Sequence, residues 1–158
     1  MKSVLPLVAF GCVLSIGCGD VEVKPDSASG PDFERAGALQ LFTDKLTDDY
    51  IDAQQGDNTD FKYLKVTDKG FLTLTIYWDD KHVGSTVNVR DRFGVLLASR
   101  AHSAELEKDV IELRVEPGTH FVELHTDAGA SVYTMEAVFQ RFDTAPEDDF
   151  RPEAVGLG

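Results

Sequence analysis

The residues from Asp48 to Asp60, "DDYIDAQQGDNTD", gather Asp48, Asp49, Asp52, Asp57, Asn58 and Asp60 around Gly56. Calcium takes about six to eight oxygen ligands from carboxylates and carbonyls on a flexible loop, and a glycine turn between acidic strand ends offers several. On this account Asp57, Asn58 and Asp60 are the candidate calcium ligands. The glutamate that closes an EF-hand loop is missing, so the site would be an irregular calcium loop. The competing account makes the same residues solvated turn formers and Asx caps of an acidic chain. Tyr77 to His82, "YWDDKH", sets an aromatic pair beside two carboxylates, a surface able to stack on a sugar ring and bind its hydroxyls. Trp78, however, continues the alternation of Leu72, Leu74 and Ile76, which assigns its ring to the core.

Catalytic patterns are absent from the sequence. His120 and His125 are separated by an odd number of positions, so on one strand they project to opposite faces and cannot share a metal ion. His82 and His102 fall in separate loops, and Ser103 follows His102 with no third group at a defined spacing. Neither a G-x-S-x-G elbow nor a phosphate-binding glycine loop occurs. The chain is therefore read as non-enzymatic, with a hydrolase as the remaining alternative. Its formal charge of -13, from 15 Lys plus Arg against 28 Asp plus Glu, repels phosphate backbones and anionic headgroups. That argues against nucleic acid as a partner, and no basic run draws the chain to a membrane.

The elements that must carry these residues alternate with period two, in short runs punctuated by Gly, Asp and Pro. "GFLTLTIYWDD" points Leu72, Leu74, Ile76 and Trp78 one way and Thr73, Thr75 and Tyr77 the other. "STVNVRD" turns through "RFG" into "VLLAS", the pattern of a hairpin. "DVIELRV" reaches a turn at Pro117 and Gly118 and continues into a further strand, and "SVYTMEAVFQRF" closes the set. With "LTDDYID" and "TDFKYLKV", these segments predict an all-β fold, an antiparallel β-sandwich of seven to eight strands over residues 37–142. "HSAELEKD" lacks a helical period and is expected to be a loop with at most one helical turn.

The two ends differ from this middle. Residues 1–17 combine Lys2 with the apolar "VLPLVAFGCVLSI" and end on Gly17, the pattern of an export signal too short for a spanning helix. "LSIGC" resembles the lipobox of bacterial lipoproteins: Gly17 and Ile16 match, while Ser15 stands where the third apolar residue, usually Leu, is found. The resemblance implies that Cys18 accepts lipid, such as palmitate, and that the protein is held in the bacterial cell envelope, with the outer membrane as the expected location. A plain secretory signal is the alternative. Once residues 1–17 are removed, Cys18 is the only cysteine left, so no internal disulfide is available. Residues 18–36, rich in Asp, Ser, Gly and Pro, are expected to form a flexible tether, and residues 143–158 an acidic flexible tail.

The region from Leu46 to Phe142 also resembles the bacterial pre-peptidase C-terminal domain, a small jelly-roll-like sandwich. The matching pieces fall in family order: "GDNTDFKYLKV", "GFLTLTIYW", the Asp91-x-x-Gly94 turn of "STVNVRDRFGVLLA", and "VEPGTHFVELHTDAGASVYTMEAVF" with its Pro-Gly-Thr hairpin. His120 stands where that family often has an aromatic. The resemblance implies a non-catalytic accessory module of a kind that in some relatives binds calcium, collagen or polysaccharide; the partner expected for this chain is another envelope protein or a surface glycan.

Overall fold

A computed structural model describes residues 30–142. Among them are nine strands: β1 (Leu39–Gln40), β2 (Leu46–Asp52), β3 (Thr59–Val66), β4 (Gly70–Trp78), β5 (Gly84–Asp91), β6 (Leu96–Ala101), β7 (Lys108–Val115), β8 (Gly118–Ala128) and β9 (Ala130–Arg141). A single 3-10 turn at Arg35–Gly37 precedes them. The strands form a five-stranded sheet ordered β1-β3-β8-β5-β6 and a four-stranded sheet ordered β2-β9-β4-β7. Every pairing is antiparallel except that of β1 with β3.

Alternation decides which side chains enter the space between the sheets. Leu72, Leu74, Ile76 and Trp78 of β4 are buried, as are Val87 and Val89 of β5, Val122 and Leu124 of β8, and Tyr133, Met135 and Ala137 of β9. Apolar burial on this scale is the main force holding the sheets face to face. The expected antiparallel sandwich is thus present, one strand richer than predicted because of the two-residue β1. The segment from His102 to Glu107 is a loop without a helix.

The connections differ from the local patterns. β5 and β6 form the expected hairpin, whose Asp91 Oδ1 accepts the amides of Phe93 (2.8 Å) and Val95 (2.9 Å) while Gly94 takes φ +90°. By contrast, the turn at Pro117–Gly118 does not close a hairpin, because β7 and β8 belong to opposite sheets. Turn chemistry specifies a chain reversal. Whether the returning strand pairs about 5 Å away or stacks about 10 Å away depends on the rest of the fold.

Packing also begins earlier than Gly37, the expected domain start. Asp32 is buried and its carbonyl accepts the Phe61 amide at 2.7 Å. Residues 143–158 lie outside the described residues.

Gly70 opens β4 where β9 approaches closest: an added Cβ would meet Gln140 O at 2.4 Å and the Phe139 ring at 2.6 Å. Gly70→Ala is therefore expected to cost about 1–3 kcal/mol, seen as a lower urea midpoint. Thr73→Ala, on the outward face of the same strand, should stay within about 0.5 kcal/mol of the parent.

Candidate functional site

The most concentrated chemistry lies between the sheets, where β3, β2 and β9 meet the N-terminal segment. Asp60 and Lys62 are two apart on β3, so both point inward. Lys62 Nζ donates to Asp32 Oδ2 at 2.5 Å and also to Asp49 Oδ2 of β2. The Tyr133 hydroxyl, from β9, donates to Asp60 Oδ2 at 2.7 Å. All five side chains are buried, and carboxylate oxygens of Asp32, Asp49 and Asp60 lie within 4.8 Å of one another.

Electrostatics divides the roles. Desolvation pushes the Asp60 carboxyl from 3.8 up to about 8, against the Tyr133 hydrogen bond and the Lys62 charge, so it holds a proton at neutral pH. Burial works against the Lys62 charge, but its hydrogen bonds to Asp32 and Asp49 outweigh that and raise its pKa. Tyr133 is pushed well above the usual tyrosine range, first by burial and then by the nearby Asp60 and Asp49 charges. The resulting cluster is an ammonium held by carboxylates, with a neutral acid alongside. Asp60 Oδ1 is buried with no hydrogen-bond partner.

This arrangement does not suit a calcium ion. Two of the three carboxylates already bond the ammonium, and the third carries a proton. The three ligands expected from the sequence make different contacts. Asp60 belongs to the buried cluster, whereas Asp57 forms a backbone bridge with Asp52 (Asp52 N to Asp57 O, 2.6 Å). The Asn58 carbonyl accepts the Thr126 amide at 2.9 Å, and its side-chain oxygen accepts the Thr59 hydroxyl at 3.3 Å. Asp52 closes the preceding turn by accepting from Tyr50 Oη, the Gln54 amide and Gln55 Nε2, each at 2.9 Å. Burial would raise the Asp52 pKa, but these bonds win and lower it. The Asx-cap account therefore describes what Asp52 does. Cys18 lies outside the described residues.

A second polar centre closes the opposite side of the sandwich. Asp109 of β7, fully buried, accepts from Trp78 Nε1 and Arg100 Nε, both at 2.9 Å, and lies 2.7 Å from His102 Nδ1. His102 Nε2 faces the Lys81 carbonyl at 3.0 Å. A carboxylate-histidine pair is present, and both ring nitrogens are occupied, by Asp109 and by the Lys81 carbonyl. Trp78 is core, as its alternation required, and only Tyr77 of the aromatic pair is exposed, beside an open groove of about 460 Å³. His120 is buried with Nε2 at 2.9 Å from the Glu116 carbonyl, while His125 faces outward at 2.8 Å from Thr59 Oγ1. The odd separation predicted these opposite faces.

No family model matches the chain, and no curated protein does. Among solved structures it is similar to the pre-peptidase C-terminal domain of collagenase from Bacillus anthracis, with TM-score 0.55 and 14% identity over 63% of this chain and 93% of that one. The Yersinia pseudotuberculosis-derived mitogen aligns at TM-score 0.43 and 11% identity, covering 66% of this chain and 91% of that one. A family 6 carbohydrate-binding module aligns at TM-score 0.36 and 13% identity, covering 66% and 97%. The first match shows a shared β-sandwich fold, the one expected from the strand motifs; the other two carry no further weight.

Lys62→Met leaves two buried carboxylates facing each other and should cost about 3–5 kcal/mol, with partial recovery when Asp32→Asn and Asp49→Asn are added. Asp60 binds its proton more tightly folded than unfolded, so its contribution is full below about pH 4 and declines as pH rises toward about 8. Asp60→Asn should flatten that part of the pH-stability curve, measured by urea unfolding across the range. Because an ammonium fills the acidic cluster, thermal midpoints with millimolar calcium and with chelator should coincide; a rise with calcium would show a metal site elsewhere in the chain.

Proposed function

We propose that this chain is a lipid-anchored, extracytoplasmic β-sandwich that serves as a non-catalytic structural or protein-interaction module of a bacterial cell envelope. One observation carries the module half of this reading. The side chains best suited to chemistry, Lys62, Asp49, Asp60, Tyr133, Asp109 and His102, are bonded to one another and brace the sheets. Groups arranged in this way set how the sheets align and leave contact with partners to the surface. The domain similar in fold is the pre-peptidase C-terminal domain of a collagenase, which agrees with an accessory role.

The anchor half rests on the sequence, where Gly17 and Cys18 end a short apolar export segment and a Pro- and Asp-containing tether follows. Acyl chains on Cys18 would bind the bilayer by about 0.8 kcal/mol per buried methylene. Membranes from the native host should yield a protein that begins at Cys18 and carries acyl mass on that residue. Cys18→Ser should move the protein to the soluble fraction. Recovery of Met1 to Gly17 in the membrane-bound protein, or membrane retention of the serine variant, would refute the anchor.

A further inference from the structure

The β5–β6 hairpin ends in the least polar exposed stretch of the described chain. Phe93 is 75% exposed, Val95 58%, Leu96 49% and Leu97 42%. No residue from Phe93 to Ser99 is charged. A bulge explains why both leucines face out. Val89 pairs with Ala98 and Arg90 with Leu96, so Leu97 is the extra residue and the alternation that would bury one of the two is broken. The same bulge makes β6 a poor template for another strand, because an irregular ladder does not extend cleanly. The patch therefore suits a partner that takes side chains without needing backbone hydrogen bonds.

Two arginines stand beside it, one of them brought from a distant part of the sequence. Arg92 lies over the Phe93 ring, 4.6 Å from its centroid. Arg35, which is 57 residues away in sequence, donates to the Arg92 carbonyl at 2.8 Å and stacks 4.3 Å from the Phe121 centroid. The nearby Asp91 has one carboxylate oxygen bonded to two amides of the turn. Glu116, across a small cleft of about 180 Å³, is paired with Lys69 at 3.0 Å. In a chain of formal charge -13, this tip brings apolar side chains and arginines to one point.

The route of the chain outside the structure bears on the tip as well. Arg35 belongs to the segment that leads back toward Cys18, so the N-terminal segment is fastened to this hairpin. From Cys18 to Gly30 an extended backbone reaches at most about 3.3–3.6 Å per residue, on the order of 40 Å in all. Counted to Arg35, where the segment touches the hairpin, the reach is on the order of 60 Å, so a lipid anchor at Cys18 would confine the tip to the neighbourhood of the bilayer and raise its effective concentration there.

We propose that the hairpin tip from Arg92 to Leu97 is a second membrane contact, which inserts Phe93, Val95, Leu96 and Leu97 into the interfacial zone of an anionic bilayer while Arg35 and Arg92 meet lipid phosphates. The inference rests on the anchored reading for the nearness of the membrane. Insertion of apolar side chains gains hydrophobic free energy, and the arginines offset the repulsion that the acidic remainder of the domain feels from the same headgroups.

The test uses the lipidated protein reconstituted in phosphatidylglycerol vesicles and in phosphatidylcholine vesicles, with a polarity-sensitive dye on Val95→Cys. Gln54→Cys, in the turn at the other end of the sandwich, is the control. Quenching by nitroxide lipids several-fold stronger at position 95 than at position 54, greater in phosphatidylglycerol, and lost with Phe93→Ser plus Leu97→Ser, is the expected result. Equal quenching at both positions would overturn the proposal, and so would crosslinking of position 95 to a second copy in place of lipid contact. Vesicle flotation of the same samples reads the Cys18 anchor, so failure of the anchor and failure of the hairpin contact are separately visible.

Discussion

A lysine buried between two sheets must find acceptors there or lose its charge. Lys62 finds Asp32 and Asp49, and that requirement ties together parts of the chain that share little else. It fixes β3 against β2 across the sheet gap and draws the segment before the 3-10 turn onto the domain. Asp60, buried beside this group, keeps its proton because burial disfavours its charged form and the neighbouring carboxylates add to that, and Tyr133 can satisfy only one of its oxygens. Such a cluster does less for net stability than for specificity: apolar residues of the same size could pack as well, but they would not demand this alignment of strands.

Asp109 does the same at the far side. β6 and β7 are edge strands of different sheets, and Arg100 and His102 reach from one to the carboxylate on the other while Trp78 completes its hydrogen bonds. The two open sides of the sandwich are thus each closed by a buried aspartate or lysine centre, with the aliphatic core between. Open strand edges invite unwanted pairing. Here β2 and β7 carry charges along their length, β1 is two residues long, and β6 is bulged. The features that might have suggested catalysis or metal binding are parts of this closure.

With these polar clusters turned inward, the surface of the described residues carries the exposed apolar side chains. Its least polar point is the β5–β6 turn, where the bulge exposes leucines that regular alternation would hide. The acidity of the chain as a whole conceals a pair of arginines there, because Arg35 and Arg92 are close only in space. Average charge governs long-range repulsion, yet contact is decided within about 10 Å by whichever groups are nearest.

Much of the fold was legible in the sequence because period-two alternation is a local property. The inward set of β4, the strands at Leu46–Asp52 and Thr59–Val66, the Asp91 to Gly94 turn and the opposite faces of His120 and His125 all follow from neighbours a few residues apart. The core role of Trp78 was visible for the same reason. What could not be read was anything set by pairing across distance. The Pro117–Gly118 turn looks the same whether β8 returns beside β7 or crosses to the other sheet. Lys62 sits in "DFKYLKV" where a lysine would ordinarily face water, and only the arrival of Asp32 and Asp49 from elsewhere makes its burial tolerable. The sequence could mark Asp60 as a possible ligand but not choose its companions. Local alternation and turn residues determine strands and faces on their own; sheet order, the partners of buried charges and the grouping of distant arginines depend on long-range contacts, which only the tertiary structure decides.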